Sequence, residues 1–456
     1  MIRETFRKYL DEAIGSKNAL VAFSAFDQPS SVSIRLNPFK KGCSLTGRAV
    51  PWNPYGIFLE QRPVFTLDPL FHAGAYYVQD SSSMFVGYMF REMIKGKTAS
   101  KTRPFRVLDL CAAPGGKTTD LAASLREHFG DDFLLVANEV MKARVGVLAD
   151  NVALWGDPNV VVTSDDPKAF ASMPGYFDVI VTDVPCSGEG MFRKDEEAQR
   201  QWSEDNVSLC EARQKRILAD VWPALAEGGV LIYSTCTFNR YENDGNVGWV
   251  ASELGADVVD GNLAANFSGI IRTGNGYSLV PGHVEGEGQY CAALVKTSGL
   301  TFNGSYGSRG DGRSRVTAPA DGLEGLMTVN MKYGQKGDLV VAVPEHLDAD
   351  VATLRRNLHV VSAGCAVGMM KGKIFVPGAD LALSIMLDRS AFPACEVDHR
   401  TALAYLHRDA ITLPDSEKGY VLVCHQGQPL GFVKNLGNRC NSLHPQSRRI
   451  RMNIDI

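Results

Sequence analysis

The chain has 456 residues, 45% hydrophobic and 21% charged, the balance of an ordinary globular protein and not of a disordered, fibrous or membrane-spanning one. Its 47 basic and 51 acidic residues leave a formal charge of −4, which excludes wholesale polycationic binding to nucleic acid but not a local basic face. The ten cysteines are scattered, with no Cys-x-x-Cys pair, so reduced thiols in a cytoplasmic setting are expected, with neither a disulfide framework nor a metal site.

Residues 1–105 read as a separate mixed segment, and its opening, MIRETFRKYLDEAIG, has no apolar signal core. From 106 to 298 the pattern alternates. Apolar runs at 107–110 (VLDL), 134–139 (LLVANE), 160–163 (VVVT), 178–184 (DVIVTDV) and 229–235 (GVLIYST) are separated by helical stretches, the longest running from about Ser203 to Ala226. That alternation predicts βαβ units in a doubly wound α/β domain with a parallel sheet, whose chemistry lies at the carboxyl ends of the strands. The stretch 303–322, NGSYGSRGDGRSRVTAPADG, is nearly devoid of apolar residues and reads as a linker within 299–325. Residues 326–456 carry short strands and turns and read as a smaller α+β accessory domain. Its run YVLVCHQGQPLGFV is expected to form a hairpin turning at 426–429. Trp202, Trp222 and Trp249 fall in helical contexts and are assigned to the core; Cys210, Cys291, Cys365, Cys395, Cys424 and Cys440 read as structural thiols.

One strand runs into helix through Cys111-Ala112-Ala113-Pro114-Gly115-Gly116-Lys117. Two glycines let a ligand approach the backbone, and the following helix offers free N–H groups. Gly116-Lys117-Thr118 matches the end of a phosphate loop, but Cys111 stands where its first glycine belongs, and no G-x-G-x-x-G fingerprint occurs. The remaining reading is an S-adenosylmethionine site. Glu139 closes the next strand, where an acid can accept both ribose hydroxyls, and Asp166 follows the strand after, placed for the adenine amine; Asp165 is an adjacent candidate.

Two further strand ends carry thiols: Asp183-Val184-Pro185-Cys186 and, in YSTCT, Cys236. A thiol beside a methyl donor suits C5 of cytosine, which is not nucleophilic until a thiolate adds to C6. Asp183 would hydrogen-bond the N3/N4 edge in a dry site, and Lys194 would favour the thiolate. The base must leave its stack to enter. His72, Tyr76 and Tyr77 are candidates for stacking against nucleic-acid bases and Arg35 and Asn37 for substrate contact. Two basic clusters, Lys95, Lys97, Lys101, Arg103 and Arg106, and Lys434, Arg439, Arg448, Arg449 and Arg451 (with Asp455 after them), divide between solvated surface and phosphate contact.

DLCAAPGGKTT, DVPCSGEG and YSTCT resemble the motifs of the NOL/NOP/Sun-type RNA cytosine-5 methyltransferases, and most closely the bacterial RsmF-type enzymes of 16S ribosomal RNA. SIRLNP (33–38) and HAGAYYVQDSSSM (72–84) resemble the family's segments ahead of the catalytic domain, and 419–439 resembles its PUA-like RNA-binding domain. The resemblance implies a Rossmann-like domain that holds S-adenosylmethionine through Cys111, Ala112, Ala113, Pro114, Gly115, Gly116, Lys117, Glu139, Asp166 and Asp183. It also implies Cys236 as nucleophile and Cys186 as the thiol that assists product release. The expected partner is RNA, namely 16S rRNA in the small subunit, for a monomer that acts without DNA or membrane. A transfer RNA methyltransferase of the same chemistry and a non-catalytic ribosome-assembly factor are the alternatives; two intact thiols speak against the second.

Overall fold

The computed structural model describes residues 4–42, 45–302 and 323–454; the linker stretch 303–322 and Asp455 lie outside them. Helix α1 (Glu4–Ile14) places Phe6, Leu10 and Ile14 four apart on one buried stripe, and Gly15, at φ +80°, turns the chain into α2 (Ser16–Phe26). An antiparallel sheet of order β2-β3-β1-β4 follows: β1 (Val32–Leu36), β2 (Arg48–Ala49), β3 (Gly56–Leu59) and, after the short helix α3 (Pro69–His72), β4 (Tyr76–Val78). Helix α4 (Phe85–Ile94) leads into the main sheet.

That sheet begins with β5 (Phe105–Asp109), α5 (Gly116–Phe129), β6 (Phe133–Asn138), α6 (Lys142–Trp155) and β7 (Val160–Thr163). It continues with β8 (Phe177–Asp183), α7 (Glu196–Gln201), α8 (Glu204–Val221), β9 (Leu225–Thr235) and α9 (Asn246–Glu253). Strands β5 to β9 run parallel in the order β9-β8-β5-β6-β7. Every residue of β6 is buried, as expected of a strand covered on both faces. One face packs against α4, α5 and α6 through Phe85, Leu121 and Leu148; the other packs against α8 and α9 through Leu218 and Val250. After β10 (Ala256–Val258), β11 (Ile271–Arg272) and β12 (Tyr277–Leu279), the antiparallel strand β13 (Gln289–Lys296) extends the sheet beyond β9.

The C-terminal region comprises β14 (Met331–Lys336), β15 (Leu339–Pro344), α10 (Asp348–Asn357), β16 (Val360–Ala363), β17 (Cys365–Lys371), β18 (Ile374–Pro377) and α11 (Ala379–Leu383). It ends with β19 (Ala394–Glu396), α12 (His399–His407), β20 (Gly419–His425), β21 (Gln428–Asn435) and β22 (Cys440–Ser442). Part of it completes the catalytic sheet: β16 pairs antiparallel with β7, and Val351 and Leu354 of α10 join the core beneath. The predicted hairpin forms with a tighter turn than 426–429: only Gln426 and Gly427 lie between β20 and β21, both at positive φ (+48° and +73°).

Burial redirects several basic residues. Arg103 makes a bidentate pair with Asp178 at 2.7 Å, and Arg106 reaches Asp350 at 2.8 Å. Arg448 joins Asp150 of α6 (2.9 Å) and Asp380 of α11 (2.6 Å), fastening the C-terminal region to the catalytic one. These three hold the chain together and leave Lys434, Arg439, Arg449 and Arg451 exposed. No helix among the described residues is long and apolar enough to cross a membrane.

Candidate active site

The loop between β5 and α5 turns at Gly115, whose φ of +113° is a left-handed conformation that favours glycine. No side chain caps the first turn of α5. The loop is held from outside: Arg144 donates to the Ala113 carbonyl (2.6 Å), Asn151 to that of Pro114 (2.8 Å), and Ala112 N–H to that of Asn138 (2.8 Å). A Cβ at Gly116 would stand 3.1 Å from the Tyr77 ring, so glycine there allows the N-terminal sheet to close on the loop. Cys111 is half-buried, and burial raises its thiol above the ordinary value.

The acids of the neighbouring strand ends differ in setting. Asp109 is fully buried; Thr118 Oγ1 donates to one oxygen at 2.7 Å, the other has no partner, and burial pushes the carboxyl up to about 7. Glu139 is buried, accepting from Met141 N–H (2.8 Å) and facing Arg144 at 3.3 Å. Asp166 is exposed; it caps the turn at 167–172 through Lys168 N–H (3.1 Å) and faces Arg216 of α8 at 3.8 Å. Asp165 takes the half-buried position, its N–H donating to Asn138 Oδ1 at 3.0 Å.

The two thiols meet. Cys186, past β8, and Cys236, past β9, have their sulfurs 3.2 Å apart. The parallel pairing of β8 with β9 places Asp183 opposite Ser234, so the two following loops begin side by side. The hydrogen bond to Cys236, with burial next, keeps the Cys186 thiol well above its ordinary value. Cys186 therefore holds its proton.

Asp183 stands beside them with each oxygen engaged. Lys117 Nζ donates to Oδ2 at 2.8 Å, and Ser234 Oγ (2.9 Å) and Gln289 Nε2 (3.2 Å) donate to Oδ1. Burial opposes the Lys117 charge but Asp183 outweighs it, and the ammonium is held above its ordinary value, its charge reaching Cys236 as well. Lys194, expected to activate the thiols, is turned to Asp80 (3.6 Å) and Glu287 (3.4 Å) instead.

Sequence reasoning missed the scaffold under the thiols. Glu189 accepts from Phe238 N–H (2.7 Å), Asn239 N–H (3.0 Å) and Trp202 Nε1 (2.9 Å). Glu242 accepts from Ser187 N–H (3.0 Å) and Gln214 Nε2 (2.7 Å), and the Ser187 and Thr237 hydroxyls lie 2.8 Å apart. The available signal was a set of acids and amides (Glu189, Asn239, Glu242) close after each thiol. Arg35 and Asn37, read as substrate contacts, are buried and structural. Arg35 donates to Gln79, the Gly116 carbonyl and Thr119; Asn37 donates to the carbonyls of Gly74 and Trp155. His72 and Tyr76 bind the Thr66 carbonyl and Asp68; Tyr76 and Tyr77 both border a cavity of about 630 Å³ between the N-terminal module and α6, and His72 borders a second one shared with Leu430 and His444 of the C-terminal region.

Comparison with known proteins covers the three regions. Family descriptions match at 2–81 (N-terminal domain of 16S rRNA methyltransferase RsmF), 100–295 (16S rRNA methyltransferase RsmB/F) and 392–450 (methyltransferase RsmF PUA domain). The chain is 31% identical to the proteins named ribosomal RNA small subunit methyltransferase F of Salmonella newport and Salmonella typhi, over 97% of this chain and 95% of each of them. Two solved structures from Pyrococcus horikoshii share the fold. A methyltransferase homolog is 24% identical with a TM-score of 0.53, covering 64% of this chain and 95% of its own. NSun6, solved with SFG, is 18% identical with a TM-score of 0.53, covering 65% and 98%.

Proposed function

The chain belongs to the family of RsmF-type 16S rRNA methyltransferases, and from that premise we propose that it methylates C5 of a cytosine in small-subunit rRNA, drawing the methyl group from S-adenosylmethionine. The observation that carries the proposal is the 3.2 Å approach of Cys186 and Cys236 beside the Lys117–Asp183 pair.

The residues present suit the cofactor. The first turn of α5 is uncapped, the buried Glu139 ends β6, and one oxygen of the buried Asp109 has no partner. The residues proposed to hold it are those of the loop Cys111–Lys117, with Glu139, Asp183 and an acid at 165 or 166. Bound there, the cofactor supplies an electrophilic methyl on a sulfonium.

The rest is done by this chain. The Cys236 sulfur forms a bond to C6 of the unstacked cytosine, which ends its aromaticity and makes C5 a nucleophile. As the sulfur adds, N3 takes up the proton that the Cys236 thiol gives up, and the Asp183 carboxylate accepts from N3–H and N4–H, with Lys117 and Gln289 keeping it in place. C5 takes the methyl group. Loss of the C5 proton to water then breaks the sulfur–C6 bond and restores the ring. Cys186, its sulfur 3.2 Å from that of Cys236, is placed to give the departing sulfur a proton. The N-terminal and PUA-like regions favour rRNA over transfer RNA as substrate, because both match RsmF-type domains.

The experiment is methyl transfer from labelled S-adenosylmethionine to small subunits, free 16S rRNA and transfer RNA, with bisulfite mapping of the product. Label at a 16S cytosine supports the proposal. Label in transfer RNA alone, or none in any RNA, overturns it.

A further inference from the structure

The donor loop is completed by a side chain from outside the catalytic domain. Gln79 follows β4 and is only 7% exposed. Its main chain is tied to Ser33 twice: its N–H donates to the Ser33 carbonyl at 3.2 Å, and its own carbonyl accepts from Ser33 Oγ at 2.6 Å. Arg35 Nε donates to Gln79 Oε1 at 2.8 Å. A guanidinium only donates, so the amide oxygen must face Arg35 and the amide NH2 must point the other way.

That NH2 group is buried and has no hydrogen-bond partner. It lies against the first residue of α5: the amide carbon and nitrogen are 3.6 and 3.7 Å from the place a Cβ on Gly116 would occupy. Helix α5 is 14 residues long, and Gly115 ahead of it brings no side chain to cap its N-terminus. An open helix N-terminus and an open amide donor thus converge on one spot. Both favour an oxygen-bearing anion. The nearby Lys117 is already paired with Asp183.

We propose that Gln79 Nε2 and the first turn of α5 together bind the carboxylate of the cofactor's methionine tail. The inference rests on the proposed function, in which this loop holds S-adenosylmethionine. The depth of Gln79 favours a small molecule's carboxylate over a phosphate of the RNA chain. It follows that the N-terminal module is part of the cofactor site: Arg35 orients Gln79 on one side and binds the Gly116 carbonyl at 3.0 Å on the other.

The test is calorimetric titration of the full-length protein with S-adenosylmethionine and with its decarboxylated analogue. Gln79→Met keeps the length of the side chain and removes the donor. Its Kd for S-adenosylmethionine is expected to rise about tenfold, the range of a hydrogen bond to a charged group, while its Kd for the decarboxylated analogue stays at the wild-type value. Equal weakening of both ligands, or of neither, overturns the inference. So does weakened RNA retention with unchanged S-adenosylmethionine affinity, which would give the donor to a phosphate. Wild-type protein that binds neither ligand overturns the proposed function and this inference with it; an indifferent Gln79 overturns this inference alone. Should Gln79→Met not fold, Gln79→Asn, which withdraws the amide by one methylene, is expected to show the same selective loss at smaller size.

Discussion

Glu189 accepts both the main-chain N–H of Asn239 and its side-chain Nδ2, each at 3.0 Å. The contact joins two loops that the chain separates by fifty residues. Glu189 lies three residues past Cys186 and Asn239 three past Cys236, so this carboxylate sets the distance between the thiols without touching either.

Glu189→Gln follows as a test of positioning. A carboxylate offers two acceptor oxygens, and here it serves four donors, the other two being Phe238 N–H and Trp202 Nε1. An amide replaces one acceptor by a donor and leaves at least one buried group unpaired, at a cost of about 1–3 kcal/mol. The expected outcome is a lower urea midpoint, a fall in kcat of roughly ten- to a hundredfold, since a small misplacement of reacting groups is felt strongly, and an unchanged Kd for S-adenosylmethionine. A wild-type kcat would show that the thiols are held by other means.

Glu242 gives a pH dependence. Burial first, then the charge of Glu189, raises its carboxyl from 4.5 to about 7 despite hydrogen bonds from Ser187, Asn239 and Gln214. Between those values the folded protein holds a proton that the unfolded chain has released. The stability this group contributes is complete below about 4.5 and is lost as pH rises through about 7, on the order of 3 kcal/mol in all. Glu242→Gln removes the titration. Urea unfolding from pH 5 to pH 8 should therefore show wild-type stability declining relative to the variant. A difference that is constant with pH would contradict the assignment.

How much of this was legible before folding depends on how far each residue's partner lies along the chain. That the Cys111–Lys117 loop, Asp183 and both thiols come together was readable because each follows a strand of one alternating series, and the alternation of strands and helices fixes which edge of the sheet they share. Arg35, Asn37, Arg103, Arg106 and Arg448 were not. Each lies in a stretch that reads as surface or substrate contact, and each is claimed by a partner at long range, Thr119 and Trp155 for the first two and Asp178, Asp350 and Asp150 for the arginines. Charge in a sequence does not say whether an opposite charge will meet it. The exchange of Lys194 for Lys117 has the same origin: Asp80 and Glu287 approach Lys194 only once the N-terminal module and β13 are in place.

The thiols separate by function in a trapping experiment. With RNA carrying 5-fluorocytosine, fluorine at C5 cannot leave as a proton does, so the sulfur–C6 bond persists. Wild-type protein should give an adduct that survives denaturation, and Cys236→Ala should give none. Cys186→Ala with ordinary RNA should accumulate the covalent complex, because the departing Cys236 sulfur loses its nearby proton donor. An adduct at wild-type level in Cys236→Ala, or normal turnover without trapping in Cys186→Ala, would reverse these roles.

Arg35 is the link between the N-terminal module and the donor loop, and Arg35→Lys isolates it. The guanidinium is 0% exposed and lies 4.6 Å over the Trp155 ring. It divides its donors among Gln79, the Gly116 carbonyl and Thr119, with Asp120 at 3.8 Å. Lysine keeps the charge but has one nitrogen for these partners, and its compact ammonium does not stack as a planar group does. Losing buried charge-assisted bonds places the expected destabilisation at roughly 2–4 kcal/mol, read by urea unfolding of the full chain. The effect on the site should be separate from that on the fold. With Gln79 no longer oriented, S-adenosylmethionine affinity is expected to fall even at denaturant-free conditions where the variant is fully folded by circular dichroism. Destabilisation with unchanged affinity would make Arg35 a packing residue alone; no destabilisation would contradict the buried network from which the argument starts.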